Sequence, residues 1–180
     1  HEIFKNVIEI TIPESVIKID DSSFEKYSKL KTINLPTSLE SIGKSAFSKC
    51  ISLRKIKIPK SIAEIGDYCF ANCSLIEELK IPSSVRKIGN FSFADCSSLE
   101  SLTIDPNRTE IQDDSFHNCT SLKILIIAST ATAIERFNFK QFTNLVEIEI
   151  PSSVTSIGDS SFSGCSSLTK INIPSSVTKI

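Results

Sequence analysis

The sequence predicts a repeat solenoid, a chain that winds into successive coils of 23 residues. This prediction rests on two sets of identical residues, which we call ladders, whose members recur at every 23rd position. The aromatic ladder consists of Phe24, Phe47, Phe70, Phe93, Phe116, Phe139 and Phe162. The isoleucine ladder consists of Ile19, Ile42, Ile65, Ile88, Ile111, Ile134, Ile157 and Ile180. A fixed period of this length is typical of solenoids, in which each unit buries its apolar face by stacking on its neighbours.

Each unit opens with a predicted strand. In the clearest unit, which opens at Leu53, the apolar residues Ile56 and Ile58 alternate with Lys55 and Lys57. This alternation is typical of a short, half-buried strand whose successive side chains point to opposite faces. One such strand in each coil predicts a parallel sheet that runs along the solenoid.

Proline ends the predicted strand in most units, because its missing N–H would interrupt further pairing. It occupies this place at Pro13, Pro36, Pro59, Pro82, Pro151 and Pro174. A second apolar pair, Ile62 and Ile65, precedes Gly66, which predicts a further reversal because glycine adopts positive φ without a Cβ penalty. Phe70 and Cys73 lie three residues apart, a spacing that fits a single helical or 3₁₀ turn directed inward.

We expect the 180 residues to form one elongated domain, because a repeat array grows by adding units to one continuous core and not by forming separate cores. The units open at Val7, Leu30, Leu53, Ile76, Leu99, Leu122 and Leu145, and a partial unit opens at Leu168. Residues 1–6 are expected to be the tail of a preceding repeat. The chain has no methionine and stops at Ile180 within a unit, so we expect it to be a fragment of a longer protein.

Composition argues against several classes of protein. Hydrophobic residues make up 40% of the chain and charged residues 23%, values that are ordinary for a folded soluble chain. The net charge of -1 gives no electrostatic reason to expect nucleic acid as a partner, and the basic residues lack the interleaved aromatics of a nucleic-acid platform. Apolar runs fall short of the roughly 20 residues that cross a bilayer, so we expect no membrane insertion within this chain.

Five cysteines share the 23-residue step, and only Cys69 lies outside their ladder of Cys50, Cys73, Cys96, Cys119 and Cys165. Phe142 takes the ladder position in the remaining unit, which indicates an inward position where cysteine acts as a small buried hydrophobe. Stacked Cβ vectors run parallel, whereas a disulfide needs them to converge, so serial disulfides are not expected. Cys69 and Cys73, without a second pair or a histidine, make a poor zinc site.

The sequence predicts no catalytic, cofactor or metal site, so we expect that the chain is not an enzyme. The histidines are His1 and His117, and His117 is predicted to be an exposed loop residue. No serine or cysteine stands out from the repeat background as a nucleophile with a histidine base. The carboxylate pairs at 20–21 and 113–114 are interpreted as solvated or capping residues, and the phosphate-binding glycine motifs are missing.

Four Asn-x-Ser/Thr sequences occur, at Asn72, Asn90, Asn107 and Asn118. Two of them have a ladder cysteine as the middle residue, and we interpret these as by-products of the repeat. Asn107 lies in an irregular loop beside Pro106, which makes it the best candidate for a glycan if the chain is secreted.

The outward positions of the predicted strands form two columns that vary from coil to coil. The first is Glu9, Thr32, Lys55, Glu78, Ser101, Ile124, Glu147 and Lys170, and the second is Thr11, Asn34, Lys57, Lys80, Thr103, Ile126, Glu149 and Asn172. The candidate partner-binding residues are Lys55, Lys57, Glu78, Lys80, Ile124, Ile126, Glu147 and Glu149. Exposed isoleucines flanked by charges are typical of protein interfaces. Because the unit that holds them is degenerate throughout, drift of the repeat is the alternative explanation.

The run LVEIEIPSSVTSIGDSSFSGC, from Leu145 to Cys165, follows the pattern Leu-x-x-Ile-x-Ile-Pro-x-x-Val-x-x-Ile-Gly-x-x-x-Phe-x-x-Cys. In this it resembles the BspA-type (Treponema pallidum-type) class of leucine-rich repeats, and the resemblance covers essentially the whole chain. The resemblance implies a right-handed solenoid with a parallel sheet on its concave side and short strands and turns on its convex side. It also implies a cell-surface or secreted protein of a mucosal bacterium or protist parasite, for which adhesion is the usual role.

We therefore expect a non-enzymatic protein-binding and adhesion module of a cell-surface or extracellular protein. It would recognise a host or cell-surface protein with its concave sheet. The alternative is a cytoplasmic leucine-rich-repeat scaffold for protein–protein interaction, which the reduced thiols favour. An end-to-end homodimer through uncapped repeats is also expected to be possible, because neither terminus offers a polar cap.

Overall fold

Most coils contribute one longer and one shorter strand in the computed structural model, which describes residues 6–112, 114–134 and 142–180. The longer strands are β1 (Glu9–Thr11), β3 (Thr32–Asn34), β6 (Glu78–Lys80), β8 (Ser101–Ile104), β10 (Ile124–Ile127), β12 (Glu147–Glu149) and β14 (Lys170–Asn172). The shorter strands are β2 (Lys18–Ile19), β4 (Ser41–Ile42), β5 (Glu64–Ile65), β7 (Lys87–Ile88), β9 (Glu110–Ile111), β11 (Ala133–Ile134) and β13 (Ser156–Ile157). The described residues contain no helix.

The strand pairs are parallel and join residues that lie 23 positions apart. In the longer-strand sheet, Glu9 pairs with Thr32 near one end, and Glu147 pairs with Lys170 at the other. The main part of this sheet has the order β14-β12-β10-β8-β6. Lys55 joins Thr32 by an isolated bridge, so the strand that the alternation predicts there is reduced to a single bridging residue. The longer strands therefore form two parallel sheets, β1-β3 and β14-β12-β10-β8-β6, and Lys55 is bridged to the first of them.

The shorter strands form a second parallel sheet on the opposite part of each coil. Its order is β2-β4-β5-β7-β9, and β11 pairs with β13 further along. The isoleucine ladder lies in this sheet, since Ile42 pairs with Ile65 and Ile65 with Ile88. These three side chains are at most 3% exposed. The 23-residue step of the ladder is therefore the pairing register of the sheet.

The aromatic ladder stacks inside the solenoid. The ring centroids of Phe47 and Phe70 lie 5.2 Å apart with planes inclined by 5°. The same 5.2 Å separates the pairs Phe24–Phe47, Phe70–Phe93 and Phe93–Phe116. Phe139 lies outside the described residues, and Phe142 lies 5.5 Å from Phe116 with its plane tilted by 46°. The core is therefore a column in which like residues of adjacent coils are in contact.

The segment around each described aromatic ladder residue consists of consecutive turns. In the first coil, the N–H of Glu25 donates to the carbonyl oxygen of Ser22 at 3.1 Å. Ser22 and Lys26 have left-handed φ values of 55° and 65°, a conformation that L-residues do not propagate into a helix. The N–H of Lys26 donates to the carbonyl oxygen of Ser48 in the next coil at 2.8 Å. The spacing predicts a helical or 3₁₀ turn in this segment. Consecutive turns are present instead, because amides of the segment donate hydrogen bonds to the next coil.

At two of the glycines that follow the shorter strands, Gly43 and Gly89, the preceding coil approaches too closely to admit a Cβ atom. A Cβ on Gly89 would lie 2.5 Å from Asp67 Oδ1 and 2.7 Å from the Asp67 backbone nitrogen. The same Asp67 Oδ1 accepts a hydrogen bond from the N–H of Asn90 at 2.9 Å, which ties the two coils together. Gly66 does not have a positive φ, whereas Gly164 has one, at 92°.

Candidate functional site

The outward side of the longer-strand sheet carries the two columns that the sequence predicts, and we call this surface the sheet face. In β6, Glu78 and Lys80 are exposed whereas Leu79 between them is 2% exposed. In β12, Glu149 is exposed and Ile148 is buried. Because the pleat sends successive side chains to opposite sides, the constant residues enter the core and the varied ones remain at the surface.

The basic segment of the sheet face consists of Lys55, Lys57 and Lys80. Lys55 and Lys57 are exposed on either side of Ile56, which is 8% exposed. Lys80 follows Lys57 by one coil, a distance of about 4.8 Å between neighbouring strands. Within the described ranges, these three ammonium groups form no ion pair with a carboxylate. Glu78 is the acidic residue that accompanies them, so the segment carries a net positive charge that is available to a partner.

The apolar segment consists of Ile124 and Ile126 in β10. Both side chains are half-buried, whereas the intervening Leu125 is fully buried. On one side they lie beside Ser101 and Thr103 of β8, which are their register partners. These two small residues leave one flank of each isoleucine uncovered at the surface of the sheet.

The acidic segment consists of Glu147 and Glu149 in β12, which pair in register with the two isoleucines. The Glu147 carboxylate accepts a hydrogen bond from the Lys170 ammonium group in the next strand. This hydrogen bond raises the pKa of Lys170 above its ordinary value, and the negative charges of Glu147 and Glu149 act in the same direction. Glu149 therefore carries the less compensated charge of the two.

All eight candidate residues thus lie on one face, and the segments follow one another along it. The order is basic, small polar, apolar and acidic, with Ser101 and Thr103 as the small polar step. The alternation of strand residues could predict this arrangement because the pairing register equals the repeat period.

A row of aromatic rings on the turn side was missed by the sequence analysis. The exposed ring of Tyr68 stacks on Phe91 with centroids 5.2 Å apart and planes inclined by 10°. Lys44 Nζ lies 5.8 Å from the Tyr68 centroid, and the His117 ring meets Phe91 edge-on at 6.1 Å. The sequence signal that could have revealed this stack is that Tyr68 and Phe91 are 23 residues apart. We call Lys44, Tyr68, Phe91 and His117 the aromatic row. His117 is exposed, as predicted, and its ring nitrogen Nδ1 lies 3.7 Å from a carboxylate oxygen of Asp114.

The ladder cysteines are free thiols, and those at positions 50, 73, 96 and 119 donate hydrogen bonds to the preceding coil. The Sγ–H of Cys50 donates to the carbonyl oxygen of Phe24 at 3.2 Å, and that of Cys119 donates to Phe93 at 3.2 Å. Burial raises the pKa of both thiols to about 12. Burial likewise raises the pKa of Cys73 and Cys96 well above the ordinary value. These residues are packed, neutral donors, a role more polar than the small hydrophobe that the sequence analysis predicts.

Cys69 belongs to a second column, which is otherwise mostly serine. Its positions in the described coils are Ser23, Ala46, Cys69, Ser92, Ser115 and Ser161. The hydroxyl of Ser92 donates to the carbonyl oxygen of Gly66 at 3.0 Å, and that of Ser115 donates to Gly89 at 2.9 Å. Cys69 is fully buried in the same column. Its place off the cysteine ladder is therefore a small hydrogen-bonding position rather than half of a metal site.

Two of the predicted sequons contribute to an amide ladder on the turn side. The Asn118 amide donates to Asp95 Oδ1 at 2.7 Å, and the Asn72 amide donates to Asp95 Oδ2 at 3.5 Å. Asn107 is exposed, and its backbone N–H donates to Asp105 Oδ1 at 3.1 Å. Its side chain is therefore the freest of these three asparagines to carry a glycan.

Two negative findings apply to the described part of the chain. No helix there has the length and apolar character that a bilayer crossing needs. No three or more histidine, cysteine, aspartate or glutamate side chains gather there in a group that could hold a metal ion.

A solenoid of parallel strands, with a leucine and isoleucine interior and a variable sheet face, defines a leucine-rich-repeat protein. The chain belongs to the BspA-type leucine-rich-repeat family, whose repeat region matches residues 2–123 and 64–180 with six copies. The resemblance and the fold class that the sequence predicts are thereby confirmed. The comparison with curated proteins found no match.

The chain is similar to several solved structures. The leucine-rich-repeat protein TpLRR of T. pallidum is 27% identical, with a TM-score of 0.70 over 90% of this chain and 78% of that one. The pneumococcal vaccine antigen PcpA is 24% identical, with a TM-score of 0.59 over 97% of this chain and 41% of that one. A leucine-rich cell surface protein from Faecalibacterium prausnitzii is 28% identical over 91% of this chain and 59% of that one, with a TM-score of 0.47.

Proposed function

We propose that this chain is a non-enzymatic adhesion module of a cell-surface or secreted protein, and that it binds a protein partner with the sheet face. The observation that carries this proposal is the division of one face into basic, apolar and acidic segments above a core that repeats from coil to coil. Ile124 and Ile126 keep apolar surface in contact with water, and apolar surface rimmed by charge is the composition of protein interfaces.

The electrostatics of the face favour a partner with its own charge pattern. Such a partner carries carboxylates opposite Lys55 and Lys57 and cations opposite Glu149. Complementary charges of this kind steer the encounter and fix the orientation of the complex. The apolar segment between them supplies the part of the interface from which water is removed.

The proposed location at the cell surface is supported by membership of the BspA-type family, whose resemblance carries that expectation. The protein-binding role is supported by the half-buried isoleucines of β10, which lie on a face whose residues vary above a repeated core. Both parts of the proposal are open to direct experiment.

The test replaces Lys55, Lys57, Ile124 and Ile126 together with serine. Binding of the purified chain to whole cells and to immobilised matrix proteins is then measured against the wild type. We expect binding to fall at least tenfold, because both the steering charges and the apolar contact are lost. Undiminished binding would exclude the sheet face as the binding surface.

A matched control carries the same kinds of substitution away from the sheet face. Lys60, Lys87, Ile17 and Ile51 are exposed and lie outside the two outward columns. Replacing these four residues with serine changes net charge and surface hydropathy by the same amount. We expect the control to bind as the wild type does, so that a loss in the first variant is specific to the sheet face.

The second candidate function is an intracellular scaffold that uses the same face. The observation that favours it is the set of six free thiols, which are typical of a reducing compartment. An antibody against the chain, applied to intact and to permeabilised source cells, separates the two candidates. Staining of intact cells supports the adhesion module, and staining only after permeabilisation supports the scaffold.

A further inference from the structure

We propose that the sheet face binds a second copy of this chain, packed face to face and antiparallel about a twofold axis at β8. This inference rests on the proposed function, since it names a partner for the same surface. The observation behind it is that Lys55 and Lys57, two coils before Ser101 and Thr103, are matched in the same two columns by Glu147 and Glu149, two coils after them.

The symmetry follows from the register. The twofold axis runs parallel to β8, midway between the two facing sheets. Each outward column of one copy then faces the same column of the other copy, and the coils of the two copies run in opposite order. The coil two steps before β8 then faces the coil two steps after it. Lys55 therefore faces Glu147 of the second copy, and Lys57 faces Glu149. Because the interface is isologous, each dimer contains this set of contacts twice.

The dimensions of the side chains allow these contacts. Packed sheets lie about 10 Å apart, a gap that a lysine and a glutamate extending from opposite sides bridge together. At the axis, the small side chains of Ser101 and Thr103 face their own copies, so they do not hold the sheets apart. The charge pairs and the small centre are thus compatible with one separation.

The apolar segment is covered in the same arrangement. One coil before the axis lies β6, with Glu78 and Lys80, and one coil after it lies β10, with Ile124 and Ile126. In the dimer, Lys80 lies over Ile126 and Glu78 over Ile124. Long charged side chains cover apolar surface with their methylene stems while their heads stay in water, so the half-buried isoleucines lose their contact with solvent.

The charge balance of the face supports self-association. Its charged residues are Glu9, Lys55, Lys57, Glu78, Lys80, Glu147, Glu149 and Lys170, four acidic and four basic. The whole chain has a net charge of only -1, so the net repulsion between two copies is small. The strands have only three or four residues, so the interface is narrow, and we expect weak association that salt weakens further.

The experiment uses charge reversal and mixing. The variant K55E/K57E places glutamates opposite glutamates, and the variant E147K/E149K places lysines opposite lysines, so we expect each alone to be monomeric. An equimolar mixture of the two restores opposite charges at every contact of the dimer. We expect sedimentation velocity to show dimer in the wild type and in the mixture, at low salt and high protein concentration, and a lower dimer fraction at 0.5 M salt.

A cross-linking readout locates the axis. Thr103 faces its own copy in the proposed dimer, whereas Thr11, in the same column, lies four coils from the axis. A short bismaleimide is expected to join T103C to itself and to leave T11C monomeric, with the buried native thiols as background. The control variant K60E/K87E keeps the wild-type dimer fraction.

Three results would overturn the proposal: a wild type that is monomeric throughout, a mixture that does not associate, or a dimer that survives both charge reversals. A surviving dimer that is lost in I171S/I173S is instead end to end, through the exposed last strand. The proposed function fails by a separate result, undiminished binding of the serine variant to cells and matrix. A monomeric chain whose binding to cells depends on the sheet face retains that function and loses only the self-association.

Discussion

The phenyl rings of Phe93 and Phe116 stack with centroids 5.2 Å apart and planes inclined by 9°. Phe93 makes the same contact with Phe70 on its other side, at 5.2 Å. Its ring is fully buried, so its two faces are covered by the adjacent coils. The stability of each coil therefore depends directly on both of its neighbours.

Replacing Phe93 with alanine is expected to destabilise the chain by about 3–5 kcal/mol, because a large buried ring is lost and both neighbouring rings lose a contact face. Urea unfolding followed by circular dichroism measures the loss. Phe24 provides the control, since it is half-buried and only Phe47 stacks on it within the aromatic ladder. Equal losses for F93A and F24A would contradict the dependence on two neighbours.

Replacing Gly89 with alanine is expected to cost about 1–3 kcal/mol, because the new methyl group must displace the backbone of the preceding coil. The added Cβ would lie 2.7 Å from the Asp67 nitrogen, whereas a Cβ on Gly66 would have its nearest atoms at 3.1 Å. Urea midpoints of G89A and G66A compare the two sites under one assay. A loss in G66A that equals or exceeds that in G89A would count against close approach as the cause.

The contact between Tyr68 and Phe91 is measured by two glycine variants at equivalent turn positions. Ser45 and Tyr68 have φ values of 55° and 56°, so S45G and Y68G relieve the same backbone strain. Only Y68G also removes a stacked ring. We expect Y68G to be less stable than S45G by about 0.5–1.5 kcal/mol, the range for one aromatic pair. Identical thermal unfolding of the two would mean that the aromatic row adds nothing to stability.

The buried thiols predict a loss of stability at alkaline pH. Burial raises the pKa of Cys50 and Cys119 from 9.0 to about 12, so the folded chain keeps protons that the unfolded chain releases. This contribution is complete below pH 9 and declines as the pH rises from 9 towards 12. Urea midpoints at pH 8 and pH 10 are expected to differ more for the wild type than for C50A/C119A. Parallel pH profiles would contradict this coupling.

The periodic part of the fold could be predicted from sequence because the period is the pairing register. The isoleucines, the stacked phenylalanines and both outward columns occur where the 23-residue step puts them. Whether the sheet face binds a partner stays a prediction. Its residues vary, and a single sequence does not distinguish selection for binding from drift in the degenerate unit around Ile124.

The turn side could not be predicted to the same degree. Its conformation depends on left-handed residues such as Ser22 and Asn72, which carry no glycine to mark them. Gly66 was assigned to a turn because of its conformational freedom, whereas the constraint at the equivalent Gly89 is the approach of Asp67 from the preceding coil, which the local sequence does not show. Tyr68 and Phe91 were overlooked because other members of their column, such as Ser22, Ser45 and Asp114, are not aromatic.

Because paired strands always lie 23 residues apart, each added coil lengthens the solenoid by one fixed step. Duplicating one whole coil would leave all of its neighbours' contacts unchanged, since each coil meets only the one before and the one after. It would nevertheless move the lysines of one end and the glutamates of the other apart by about 4.8 Å. The spacing of the charges could thus evolve in discrete steps without any redesign of the interior.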